Sequence, residues 1–170
     1  MDKSDSQTSN KKQDQMKKIQ DYITFLAEES ERQGGNYTGQ FMKNLTVKDI
    51  EYEQGILGRV TFDYNMSTHM INGHGVGHGG ALATIMTVIP IIAMKGFDSR
   101  RAQSQKLTTE YLNQTPLGKD LQIISTIHKI GRRNAYTDCV LVNPSNPSNK
   151  YLVKGTLMAS FVENTEGPKL

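Results

Sequence analysis

The sequence has no tryptophan and only one cysteine, Cys139, among its 170 residues. A single cysteine excludes an internal disulfide and favours a reducing, intracellular setting, either cytoplasmic or mitochondrial. A strong excess of one charge is missing too, since 20 basic and 17 acidic residues leave a net charge of +3. Because this charge is weak and mixed in sign, we do not expect the chain to bind nucleic acid.

Targeting and membrane segments are also missing from the pattern. The first 15 residues hold three aspartates, no arginine and no apolar core, which fits neither a signal peptide nor a mitochondrial presequence. The longest uncharged run, residues 75–94, has about the length of a transmembrane helix, ~20 residues. It begins with glycines and contains Thr84, Thr87 and Pro90. We therefore expect a buried central helix of a soluble protein and no transmembrane span.

Hydrophobic periodicity predicts two helices of different character. Residues 1–12 are polar and are expected to form a disordered tail. Apolar residues at spacings of three and four then predict an N-terminal helix over residues 13–36. The second helix, over residues 78–95, is apolar almost all round, which predicts that other structure surrounds it. Pro90 lies inside it and predicts a kink.

Six segments have the alternating, β-branched pattern of strands. Two precede the central helix and four follow it; they are residues 44–52, 56–64, 102–113, 121–130, 134–143 and 150–162. This order predicts an α+β fold, in which an antiparallel sheet curls round the long central helix and the N-terminal helix is an addition. The domain is expected to span residues 37–163, and residues 164–170 are expected to fray.

The stretch NGHGVGHGGALATIMTVIPIIAMKG, residues 72–96, admits several interpretations. A zinc site requires three or four ligands, but His69, His74 and His78 have no cluster of cysteines or carboxylates nearby, so we predict no metal site. A Walker loop requires lysine and Ser/Thr after the glycines, and here Gly80 is followed by alanine. A dinucleotide-binding fingerprint matches only loosely. The plainest alternative is a set of glycines that permit tight turns and close packing.

A further interpretation joins this stretch to residues further along the chain. Asn72 lies six positions before the His-Gly-Gly of residues 78–80, and Ser104 opens the run SQKLTTEYLNQTPLG. The hairpin KIGRRNAYTDCVLVN follows. In these motifs, and in element order over residues 38–162, the chain resembles the hotdog-fold acyl-CoA thioesterases, specifically the PaaI-like group that includes the thioesterase superfamily members. Gln114 stands where that family has a proline.

The resemblance implies roles for the site residues. The amide of Gly79, at the start of the central helix, would point at the thioester carbonyl and act with the helix dipole. Asn72 would orient the attacking water or the thioester, and Ser104 would help to position the nucleophile. His78 is expected to fix the loop. The positions expected to bind substrate are His74, His78, Gly80, Arg132 and Arg133.

One departure from the family concerns the chemistry directly. The family's catalytic carboxylate, nine residues after the histidine, is replaced here by Thr87, whose hydroxyl is not a base at neutral pH. Losing such a group typically costs about 10²–10⁴ in rate. His74 is the first candidate for a replacement base, against the plainer interpretation of an exposed loop histidine. Glu110 shares strand parity with Ser104 but lies ~20 Å further along the strand, and Asp63 is expected to be a turn or surface residue.

Three functions are compatible with the resemblance. The first is hydrolysis of acyl-CoA thioesters, weakened by the missing carboxylate. The second is non-catalytic binding of acyl-CoA or an acyl carrier, and the third is a structural hotdog subunit of a larger assembly. The resemblance also implies a homodimer or homotetramer, with sheets joined edge to edge, and no cofactor beyond the coenzyme A of the substrate. Arg132 and Arg133 are expected either to meet its phosphates or to form a solvated hairpin tip.

Overall fold

The computed structural model describes residues 3–118 and 120–162. The helices of this part of the chain are α1 Lys3–Arg32, α2 Tyr37–Met42 and α3 Gly79–Met94. Its strands are β1 Leu45–Glu51, β2 Gly58–Asn65, β3 Ala102–Tyr111, β4 Asp120–Ile130, β5 Asn134–Val142 and β6 Tyr151–Phe161. The tail predicted to fray, residues 164–170, lies outside the described residues.

The six strands form one antiparallel sheet in the order β1-β2-β4-β5-β6-β3. Burial alternates along β4 from Leu121 to Ile127, so one face of the sheet packs on the core and the other remains open. Strands β1 and β3 are the edges of the sheet. The predicted α+β fold, an antiparallel sheet curled round one long helix with an extra N-terminal helix, is confirmed.

Helix α3 lies against the inner face of the sheet because almost every side of it is apolar. Ile85, Met86 and Ile89 are fully buried, and each contributes roughly 1.5–3 kcal/mol through burial. The helix continues through Pro90. One arc of its surface is only half-buried, and we call this arc the open stripe; it consists of Ala83, Thr84, Thr87, Val88 and Ile91.

Helix α1 packs across the C-terminal end of α3. Ile19 and Ile23 are buried, and Ile19 contacts the backbone so closely that a Cβ on Gly96 would lie 2.8 Å from its Cδ1 atom. The Lys95 ammonium lies 5.1 Å from the centre of the Tyr22 ring. Among the described residues, none of the helices combines the length and the apolar character needed to cross a membrane.

The first turns of α1 differ from the expected disordered tail. The helix begins at Lys3, so residues 3–12 are helical, whereas residues 1 and 2 lie outside the described part. Extending a helix from a docked segment costs far less than nucleating one, which explains how a polar stretch joins the helix. An ion pair between Lys12 and Asp49 of β1 holds the junction.

Candidate functional site

The glycine-rich loop before α3 is a hydrogen-bonded turn. The Asn72 amide N–H donates to the Val76 carbonyl at 2.8 Å, and the Asn72 side-chain oxygen accepts from the backbone N–H of His74 at 2.9 Å. Gly75 closes the turn with φ +76°, a conformation that glycine adopts without strain. Gly77 donates to a carbonyl of the β3–β4 connection at 2.9 Å. The loop is therefore tied down at both ends of the turn.

The start of α3 is held by a histidine and a tyrosine. His78 is the N-cap residue, and its Nδ1 atom accepts from the Gly80 N–H at 3.1 Å. A neutral imidazole that accepts at Nδ1 carries its proton on Nε2. The Tyr111 hydroxyl donates to the Gly79 carbonyl at 2.8 Å. The Gly79 N–H has no acceptor in its own helix, and none is found for it among the described residues.

A cavity of about 310 Å³ opens beside this helix start. Gly79, Leu82, Tyr111 and Thr115 are among the residues that line it. Thr115 is 1% exposed, and its hydroxyl has no hydrogen-bond partner among the described residues. A buried hydroxyl without a partner costs roughly 1–3 kcal/mol, so a polar group of a ligand would gain from meeting it.

Thr87 stands on α3 two turns after Gly79. Its side chain is half-buried, and its hydroxyl donates to the Ala83 carbonyl at 3.0 Å. No acidic or basic side chain in the described part of the chain hydrogen-bonds to this hydroxyl. Thr87 is therefore tied to its own helix and has no partner that would activate it as a base or nucleophile.

The expectation that Glu110 faces the same side of the sheet as Ser104 is wrong. The β3–β6 register shifts between Ser104 and Lys106, so one extra residue reverses the parity of everything after it. Ser104 pairs with Ala159, which is buried on the inner face, whereas Glu110 pairs with the exposed Lys154 on the outer face. Cross-strand partners share a face, and Glu110 is therefore excluded as a base for this site.

Other reactive groups are engaged elsewhere. Asp63 lies on the outer face of the sheet, where it pairs with Lys48 at 3.0 Å. Cys139 is fully buried, and burial raises the pKa of its thiol, so it remains protonated and is not a nucleophile. His74 is exposed in the loop beside Asn72. Within residues 3–118 and 120–162, no three His, Cys, Asp or Glu side chains are grouped so as to hold a metal ion.

A second cavity, of about 440 Å³, lies at the other end of α3. We call it the basic pocket because five cationic residues line it: Lys95, Arg100, Arg101, Arg132 and Arg133. Such a concentration of guanidinium groups is suited to phosphate.

Arg100 builds the frame of the basic pocket. Its guanidinium donates to the carbonyls of Gly131 at 3.0 Å and Arg132 at 2.7 Å, which fixes the β4–β5 hairpin to the segment after α3. It also lies 3.7 Å from the centre of the Phe161 ring. Hydrogen bonds from Arg100 hold the pKa of Asp98 below its usual value, so this carboxylate stays charged and keeps Arg100 in place.

The predicted site residues do not come together within one chain: two groups lie at opposite ends of α3, Thr87 lies between them on the helix, and Ser104 lies on β3. Helix α3 has 16 residues and is therefore about 24 Å long. Asn72 with His74, and His78 with Gly80, are joined by hydrogen bonds near its N-terminus, whereas Arg132 and Arg133 lie at its C-terminal end. Five residues that line the two cavities were not predicted from the sequence: Lys95, Arg100, Arg101, Tyr111 and Thr115. The Arg-Arg pair just after the central helix was a usable signal, but the contact of Tyr111 depends on the β3 register.

Comparison with known proteins supports the fold. No protein-family model matches the chain. The "Putative esterase F42H10.6" of Caenorhabditis elegans is 26% identical over 125 residues, which are 73% of each protein.

Three solved structures share the architecture. Zebra fish thioesterase superfamily member 2 matches with a TM-score of 0.59 and 21% identity, covering 74% of this chain and 86% of that one. The smu.793 protein of Streptococcus mutans, bound to acetyl CoA, matches with a TM-score of 0.58 and 20% identity, covering 70% of this chain and 89% of that one. The Escherichia coli PaaI protein of the phenylacetic acid degradation operon matches with a TM-score of 0.60 and 14% identity, covering 84% of this chain and 95% of that one. The chain therefore shares the fold of these three proteins, which is the hotdog fold that the resemblance predicted.

Proposed function

We propose that the chain binds acyl-CoA thioesters and hydrolyses them slowly to the free acid and coenzyme A. The observation that carries the proposal is the Gly79 amide at the start of α3, which has no acceptor among the described residues and lies beside a cavity lined by Leu82 and Thr115. A backbone donor at a helix N-terminus stabilises the negative charge that develops on a thioester oxygen. The acetyl CoA bound by the structurally similar smu.793 protein supports the substrate class.

The other residues of the loop position the reactants. The side-chain oxygen of Asn72 is held by the His74 amide, which leaves its NH₂ group to orient water or the thioester. Ser104 is exposed on the inner face of β3 but lies seven residues before Tyr111, roughly 23 Å along the strand. It therefore helps to position the nucleophile at a Gly79 that belongs to a second copy of the chain. Thr87 supplies no base, so the reaction relies on the oxyanion donor and these orienting groups and is slower by about 10²–10⁴ than with a carboxylate there.

We further propose that the complete site forms in a homodimer. Strand β3 is an unpaired sheet edge with mostly exposed side chains, and the open stripe of α3 lies half-exposed beside the sheet. Two copies related by a two-fold axis would pair their β3 edges and place the α3 helices side by side in opposite directions. The basic pocket of one subunit then comes near Gly79 of the other, and one extended acyl-CoA reaches both.

The proposal is tested by measuring the rates at which the wild type and the Thr87→Asp variant hydrolyse a panel of acyl-CoA thioesters, from short to long. We expect slow turnover by the wild type and a gain of about 10²-fold or more in Thr87→Asp, because the carboxylate restores a base. Thr84→Asp is the matched control, since it adds the same charge to the open stripe one turn earlier. Equal rates in wild type and Thr87→Asp would instead show that another base operates, and His74→Ala would then be the next variant.

A binding protein without turnover is the second candidate. The hydrogen bond from Thr87 to the Ala83 carbonyl favours it, because a hydroxyl held in this way leaves the pocket intact and removes the chemistry. Tight binding of acyl-CoA with no hydrolysis by the wild type would establish this candidate. No binding of coenzyme A thioesters at all would favour the structural subunit.

A further inference from the structure

We propose that Tyr111 is a positioning residue that fixes the first peptide of α3, and through that peptide the His78 ring, for acyl-CoA hydrolysis. The inference rests on the proposed function for its reaction, but the contact itself is structural. Tyr111 is the last residue of β3, so the edge strand and the central helix meet at this side chain.

A single peptide group connects the three residues. Its oxygen, the Gly79 carbonyl, accepts from the Tyr111 hydroxyl at 2.8 Å. Its N–H, which belongs to Gly80, donates to His78 Nδ1 at 3.1 Å. Because a peptide group is planar, holding its oxygen also sets the direction of its N–H. The chain of hydrogen bonds therefore runs from the phenol through the peptide to the imidazole.

The consequence is a defined state of the His78 ring at the N-cap of α3. With Nδ1 held as an acceptor, the neutral ring keeps its proton on Nε2. Successive hydrogen bonds polarise one another, so the phenol strengthens the contact between the peptide and the ring. The Gly79 N–H belongs to the preceding peptide, whose His78 carbonyl accepts from the Leu82 N–H at 3.0 Å. Since the peptides on both sides of Gly79 are held by hydrogen bonds, the direction of its N–H is fixed, and among the described residues that N–H has no acceptor.

Close packing supports this role. A Cβ on Gly80 would lie 3.2 Å from His78 Cε1, so glycine lets the ring approach the backbone. The Tyr111 ring lies 3.7 Å from the Cβ position of Gly79, in ordinary van der Waals contact. Tyr111 is nevertheless 54% exposed, so burial of its ring contributes little. Its hydroxyl contact, and not its apolar surface, is what this position supplies.

The test uses Tyr111→Phe, which removes the hydroxyl and keeps the ring. Tyr136→Phe is the matched control, because Tyr136 is 46% exposed on the outer face of the sheet. In acyl-CoA hydrolysis we expect kcat of Tyr111→Phe to fall roughly tenfold, the effect of about one hydrogen bond, while KM stays within about twofold. In ¹⁵N spectra of the His78 ring, the two nitrogen shifts should be well separated in wild type and converge in Tyr111→Phe as the tautomers mix.

Two results would overturn the inference. One is a Tyr111→Phe variant with the kcat and the His78 ring shifts of Tyr136→Phe. The other is a change in KM alone, which would make Tyr111 a substrate contact. If wild type neither binds nor hydrolyses acyl-CoA, the proposed function fails by itself, and the ring spectra alone decide the contact: convergence supports it and unchanged shifts overturn it.

Discussion

Arg132 and Arg133 lie at the tip of the β4–β5 hairpin and line the basic pocket. Replacing both tests whether this pocket recognises the phosphates of coenzyme A. The double variant Arg132→Ala/Arg133→Ala should bind acyl-CoA about tenfold more weakly or worse, since a hydrogen bond to a charged group is worth roughly 1.5–3 kcal/mol. Binding of the phosphate-free acyl-pantetheine should not change. Calorimetry at one salt concentration measures both, and Lys154→Ala on the outer face is the cationic control.

A loss of affinity that is equal for acyl-CoA and acyl-pantetheine would contradict phosphate recognition. It would indicate that the arginines support the fold of the hairpin instead. An unchanged affinity for both ligands would favour the solvated hairpin tip.

At the residue scale, contiguous motifs were predictable and register-dependent contacts were not. Residues 78–80 are adjacent in sequence, so their place at the start of a buried helix follows from the pattern alone. Tyr111 reaches Gly79 from 32 positions away, and no local pattern encodes that distance. Counting alternate residues from Ser104 places Glu110 on the wrong face, because a bulge after Ser104 adds one residue and this insertion cannot be seen in the alternation of the sequence.

At the element scale, α3 packs tightly on the sheet at Gly155 of β6. A Cβ there would lie 2.7 Å from the Cβ of Met86, an atom that no side-chain rotation can move away. Gly155→Ala should therefore push the helix off the sheet and lower the free energy of unfolding by about 1–3 kcal/mol. Urea denaturation measures it. The control is Gly73→Ala, because a Cβ at Gly73 would have no atom of the described residues within 4 Å. Its free energy of unfolding should not change.

An unchanged urea midpoint for Gly155→Ala would contradict this packing of α3 on β6.

Some elements of the fold can be predicted from the sequence and others cannot. Six strands were found because alternation of buried and exposed residues is local, as in β2. Helix α2 has only six residues, too few for a helical period, and is held by the Asn36 cap. The early start of α1 depends on docking, which composition does not record.

At the scale of the whole molecule, the length of α3 separates the two parts of the proposed site within one chain. The Gly79 amide and the basic pocket lie at opposite ends of a helix about 24 Å long. In the proposed dimer, an antiparallel pair of α3 helices would bring unlike ends together, so each site would use the helix start of one copy and the cations of the other. A substitution that prevents dimerisation should therefore also abolish substrate binding.

Val88 lies in the open stripe, where a partner helix would cover it. Val88→Glu should dissociate the dimer, because two-fold symmetry buries the unpaired carboxylate twice, at a cost of several kcal/mol each. We expect the dimer dissociation constant, measured by sedimentation equilibrium, to rise at least about 100-fold, with circular dichroism unchanged. Tyr136→Glu on the outer face should leave the dimer intact. A Val88→Glu protein that still dimerises like wild type would place the interface elsewhere, whereas a folded monomer that no longer binds acyl-CoA would show that the site needs both subunits.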